Sequence, residues 1–127
     1  MRGIVATGLG LALSLAMALP ASAGAGGAGA FTGDSNHVAK GAVELVEADG
    51  GWEIHLKDDF WFDGAPDPRV GFGTRGSFAA GTDFAPLHRN AGAPFYKVPA
   101  GIDPADFDTV VIWCRKFSVP LGHARLN

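Results

Sequence analysis

At 127 residues, with 47% hydrophobic and 18% charged residues, the chain has the makeup of one packed domain, not of a disordered segment or a multidomain array. Its formal net charge is −3, or −4 without Arg2, which argues against affinity for nucleic acid or an anionic membrane surface. Nine Phe and three Trp supply core material.

The chain opens on Met1-Arg2-Gly3, continues through the uncharged, mostly apolar stretch from Ile4 to Leu19, and reaches Ala21-Ser22-Ala23, a small-x-small site for signal peptidase. Residues 1–23 therefore read as a signal peptide, too short in its apolar part for the ~20 residues of a spanning helix. No cysteine lies near the cleavage site to accept a lipid, and no Asn-x-Ser/Thr site occurs. The expectation is secretion to a bacterial periplasm or the medium, with no membrane association after cleavage. Residues 24–30 are Gly and Ala only and read as a flexible spacer. The domain is expected over 31–127.

Ala42 to Glu47 and Trp52 to Lys57 are two strand-like stretches joined by Ala48-Asp49-Gly50-Gly51, the composition of a hairpin turn. In the second, Trp52, Ile54 and Leu56 share the face expected in the core. The aromatic run Phe60-Trp61-Phe62 leads into Asp63-Gly64-Ala65-Pro66-Asp67-Pro68, a rigid turn. Val70 to Phe72 reads as a short strand, and Gly73 to Gly92 as a long loop pinned by Phe78, Phe84 and Leu87. Phe95 to Val98 is a strand ended by Pro99. Asp103-Pro104 with Asp106 marks one turn of helix. Thr109 to Cys114 is β-branched and aromatic without alternation, as in a strand buried on both faces at the centre of a sheet. Phe117, Val119 and Leu121 then alternate with other residues, and His123 to Leu126 gives a last short strand. The fold class is all-β: a small antiparallel sandwich or barrel with short strands and one helical turn.

Cys114 is the only cysteine, so no disulfide forms within the chain even though export leads to an oxidising compartment. Three readings stand: a buried inert thiol, a redox-active or cofactor-ligating thiol, and one half of an intermolecular disulfide. Arg115 and Lys116 follow at once. If the strand continues, alternation puts Lys116 on the face of Cys114, where a cation favours the thiolate; the plainer reading is two solvated charges at a strand end. His37, His55, His88 and His123 are scattered and read as surface residues. Haem iron or copper would need one of them brought beside Cys114 by the fold, and no ligand motif for either is present. Asp58, Asp59, Asp63 and Asp67 lack the spacing of a calcium loop and read as turn formers. No hydrolase, nucleotide-binding or metalloprotease signature occurs.

Four pieces of the chain resemble the DM-thirteen domain, a module of Skeletor-type proteins often found beside DOMON domains. They are His37-Val38-Ala39-Lys40-Gly41, then Gly64-Ala65-Pro66-Asp67-Pro68-Arg69-Val70, then Tyr96-Lys97-Val98-Pro99, and last Asp106 to Cys114 with Phe117-Ser118-Val119. The likeness runs from about Phe31 to Leu126, and the Val-Ile-Trp-Cys piece is its most specific part. It departs where Leu121 replaces a common aromatic residue and where Gly71-Phe72-Gly73 replaces a more polar segment. The resemblance implies a β-sandwich-like fold and electron transfer, with Cys114 acting as a thiol or holding a prosthetic group such as haem. The lone thiol in an oxidising compartment supports an exported redox module with a protein partner, and the absence of a complete catalytic constellation supports a non-catalytic binding or assembly domain in which Cys114 only packs. The residues name neither cofactor nor partner.

Overall fold

The computed structural model describes residues 26–127, so the signal peptide expected over 1–23 lies outside the described residues. The described strands, in chain order, are β1 (Gly27–Ala30), β2 (Thr32–Gly33), β3 (Ala39–Lys40), β4 (Ala42–Ala48), β5 (Gly51–Leu56), β6 (Trp61–Phe62), β7 (Pro68–Thr74), β8 (Ser77–Phe78), β9 (Ala85–Pro86), β10 (Phe95–Lys97), β11 (Thr109–Cys114) and β12 (Val119–Arg125). They form a four-stranded sheet in the order β1-β4-β5-β10, a six-stranded sheet in the order β2-β12-β11-β7-β8 with β9 also on β7, and a β3-β6 ribbon. Every pairing is antiparallel. The all-β, sandwich-like expectation stands.

The β4-β5 hairpin closes as its composition predicts. Ala48 pairs with Gly51, and Asp49 and Gly50 between them both take positive φ, 50° and 78°, the two-residue turn that matches strand twist. Ile54 and Leu56 are buried and Trp52 packs beside them. From the other sheet Val70, Phe72, Val110, Ile112, Cys114, Leu121 and Ala124 join the same core. The single helical turn is a 3-10 turn at Pro104–Asp106, capped by the Asp103 side chain accepting from Ala105 N–H at 3.0 Å.

Three expectations change. Residues 27–30, read as spacer, are strand β1, in register with Ala42 to Leu45. The absence of bulky side chains is what permits this: a Cβ on Gly29 would collide with the Arg125 carbonyl, so the strand lies close against the end of β12, and Asn127 N–H donates to Ala28 C=O at 3.1 Å. At the buried Phe31 the chain passes from the first sheet to the second, as β1 gives way to β2. The expected loop 73–92 contains β8 and β9, an edge strand interrupted at Thr82. There the side-chain hydroxyl accepts from Phe72 N–H at 2.9 Å and so supplies the bond a regular strand would make with its backbone. The two stretches expected after Phe117 are one strand, β12, with a bulge at Leu121 opposite Ile112 and Trp113.

Candidate functional site

Cys114 ends β11, the strand paired on one side with β7 and on the other with β12. Its register partners are Pro68 and Val119. Alternation turns it with Val110 and Ile112 into the core, and it is 1% exposed. Its neighbour Trp113 takes the other face, where Phe78 stacks on it with ring centroids 3.9 Å apart.

One polar atom meets the sulfur: the Cys114 thiol donates to the Pro66 carbonyl at 3.2 Å. Pro66 lies in the turn from Asp63 to Pro68, whose backbone takes positive φ at Gly64 (96°) and Asp67 (51°). Both ends of that turn are tied down. Asp63 N–H donates to Val38 C=O at 3.1 Å, while its carboxylate accepts from Val38 N–H at 3.0 Å and pairs with His37 Nδ1 at 2.9 Å. At the far end Arg115 N–H donates to Asp67 C=O at 3.1 Å, Leu87 N–H donates to Pro68 C=O at 2.8 Å, and Arg69 Nε donates to the Asp67 carboxylate at 2.7 Å. The bond to His37, with further help from Val38 N–H, holds the Asp63 carboxyl below the usual carboxylate range against a smaller opposing effect of desolvation.

Lys116 does not join Cys114 on a strand face. β11 stops at Cys114, and residues 115–118 form the turn into β12, with Ser118 at φ 54°. The alternation that would align the two residues therefore ends one position too early. Lys116 is exposed, and its Nζ lies 5.5 Å from the centroid of the Phe117 ring, itself 61% exposed. Arg115 turns to Asp83, with Nε 2.8 Å from the carboxylate and a second bond to the Asp83 carbonyl. The thiol is thus enclosed beside a neutral carbonyl, with neither Arg115 nor Lys116 against it.

The four histidines are engaged elsewhere. His37 pairs with Asp63, His55 with Glu53 at 2.8 Å and His123 with Asp34 at 2.8 Å, and His88 lies against the Tyr96 ring with centroids 4.8 Å apart. Among the described residues no three His, Cys, Asp or Glu side chains are grouped to hold a metal ion. Haem iron or copper at Cys114 would draw on one thiol and one backbone carbonyl, and these residues do not fit either group. The acidic stretch is divided among separate tasks: Asp59 accepts from Ala42 N–H at 2.9 Å, Asp63 holds His37 and Val38, and Asp67 holds Arg69.

Sequence reasoning missed that the proline turn is the cover of Cys114. Both segments stood out individually, and only their contact was hidden, since it joins positions 48 residues apart. It also missed Tyr96, which is buried with no hydrogen-bond partner for its hydroxyl.

Neither a search of curated proteins nor one of solved structures found a match. A family model described as Electron transfer DM13 matches residues 30–126, a span that includes Cys114, the turn that covers it and every strand from β2 to β12. The chain therefore belongs to the DM13 electron-transfer family.

Proposed function

We propose that this DM13 domain takes part in electron transfer outside the cytoplasm, in a bacterial periplasm or the medium, and that this role centres on Cys114. The observation that supports the role of Cys114 is its seat: the chain's only thiol ends the central strand, enclosed in the core, with its S–H on the carbonyl of a separately anchored turn. Enclosure protects a sulfur from indiscriminate oxidation, to which exposed thiolates are prone. Lys116 has no part in this reading. Export is supported by the sequence 1–23, and cleavage after Ala23 would leave Gly24 to Gly26 ahead of β1 and the sheet whole.

A second reading has its own support. The same 1% exposure and neutral hydrogen-bond partner suit a structural thiol in a binding or assembly domain. The deciding experiment takes protein recovered from its own periplasm, records its visible absorption, titrates Cys114 with a thiol reagent before and after unfolding, and compares electron transfer in the wild type and in Cys114→Ser. Loss of transfer in a folded Cys114→Ser protein is the expected result. Unchanged transfer in that variant would leave Cys114 a packing residue.

A further inference from the structure

We propose that the segment from Asp63 to Pro68 is a lid over Cys114 and that Asp63 is its latch. As regulation this rests on the reading of Cys114 given above; as a statement about access to the sulfur it does not.

The middle of this segment is held far less firmly than its ends. Gly64, Ala65 and Pro66 make no backbone-to-backbone hydrogen bond among the described residues, and Pro66 has no N–H to give. What holds them is the thiol on the Pro66 carbonyl and the packing of Ala65 against the core. Gly64 and Asp67, both at positive φ, bracket the pair Ala65-Pro66. Gly64, without a Cβ, is the residue of this segment whose backbone changes conformation at least steric cost. Pro66 and Asp67 are exposed on the outer side, so lifting the segment displaces no other element.

The Asp67-Pro68 end continues into β7 and is fixed by Leu87 and Arg115 backbone bonds as well as by Arg69. The Asp63 end continues from β6, whose Phe62 lies in the core and donates its N–H to Asn90 C=O at 2.9 Å; Asp63 adds one backbone bond to Val38 and a carboxylate whose two oxygens take His37 Nδ1 and Val38 N–H. Losing that carboxylate leaves Asp63 with β6 and one backbone bond to Val38, so the stretch from Gly64 to Pro66 is held less tightly and the Pro66 carbonyl leaves the sulfur more often. Local openings of this kind occur well below the free energy of global unfolding.

The test is the rate at which iodoacetamide labels Cys114 in the native full-length protein. Asp63→Ala should label about tenfold faster than wild type, the scale set by losing charge-assisted hydrogen bonds. Asp103→Ala, which removes the cap of the 3-10 turn instead, should label at the wild-type rate. Should Asp63→Ala fail to fold, His37→Gln removes only one of the latch bonds and should accelerate labelling by a smaller factor. An unchanged rate in the latch variants, or acceleration in Asp103→Ala that tracks its loss of global stability, would overturn the lid. If Cys114→Ser keeps electron transfer while Asp63→Ala labels fast, the electron-carrying role fails and the lid stands.

Discussion

The Cys114 thiol donates to the Pro66 carbonyl at 3.2 Å, which ties the end of the central strand to a turn that precedes it by 48 residues. The bond makes the turn and the strand end one structural unit. Arg115 N–H on Asp67 C=O repeats the connection one residue further along both segments.

Changes at Cys114 should therefore separate packing from function. Cys114→Ala removes the donor and leaves a small void in the core, at a cost of about 1–2 kcal/mol. Cys114→Ser keeps a donor but buries a hydroxyl where the thiol was comfortable, and should cost a similar amount. Both variants should remain folded in urea titrations and both should lose electron transfer. Loss of transfer in Ala but not in Ser would assign the residue's importance to the hydrogen bond rather than to sulfur.

Thr82 makes the interrupted edge strand possible, so its hydroxyl should matter more than its size. It accepts from Phe72 N–H at 2.9 Å, and its single proton lies between the carbonyls of Ala79, at 2.7 Å, and Phe72, at 2.9 Å. Thr82→Val keeps the shape but leaves the buried Phe72 N–H unpaired, and denaturant unfolding should show a loss of about 2 kcal/mol. Thr82→Ser should recover most of it. Equal losses in Val and Ser would point to the methyl group instead.

Legibility in the sequence followed the range of the interaction. Ile54 and Leu56 alternate with polar neighbours, Asp49-Gly50 specifies its own turn, and Asp103-Pro104 specifies its own cap; each is local, and each appears where expected. β1 was hidden because Gly and Ala carry no alternation, and its place is set by pairing with Ala42 to Leu45 and by close approach to the backbone of Arg125, almost a hundred residues on. β8 and β9 have two residues each and exist because Thr82 and β7 hold them. The alignment of Lys116 with Cys114 was conditional on the strand running on past position 114; it does not, because the turn at 115–118 is fixed by Cys114 pairing with Val119. Cys114 itself was legible as the residue to explain, but its cover was not, because no sequence pattern links Pro66 to position 114.

Acid should weaken the fold through Asp108. Its carboxylate accepts from Thr109 Oγ1 at 2.7 Å and from Arg75 N–H at 2.7 Å. These bonds, that to Thr109 first, hold its pKa below the ordinary carboxylate value. A carboxyl whose pKa is lower folded than unfolded stabilises the fold above its unfolded value and loses that contribution as pH falls through the folded one. Stability should therefore be level around neutrality and decline below about pH 4. Asp108→Asn should be less stable than wild type at pH 7 and show a shallower decline on acidification. An unchanged acid slope would show that the Asp108 bonds are not formed in solution.

Tyr96 offers the opposite case, a polar atom whose removal should help. It is 5% exposed, and its hydroxyl has no hydrogen-bond partner. Burial pushes its pKa up; the His88 backbone and Arg89 pull weakly the other way without any bond of good geometry to that oxygen. A phenol desolvated without a partner costs free energy that Phe avoids in the same space. Tyr96→Phe should therefore gain about 1 kcal/mol and raise the Tm by ~4–8 °C. Because Tyr96 is the only tyrosine in the chain, phenolate absorbance reports on this group alone. Its titration should lie above the ordinary value of about 10 in folded protein and return to it on unfolding. With the folded pKa raised, ionisation of Tyr96 leaves stability unchanged below the unfolded value and lowers it as pH rises from there through the folded one. The wild type should accordingly weaken in alkali more steeply than Tyr96→Phe. A destabilised Phe variant, together with an ordinary phenol titration in the wild type, would instead mean that the Tyr96 hydroxyl is hydrogen-bonded in solution.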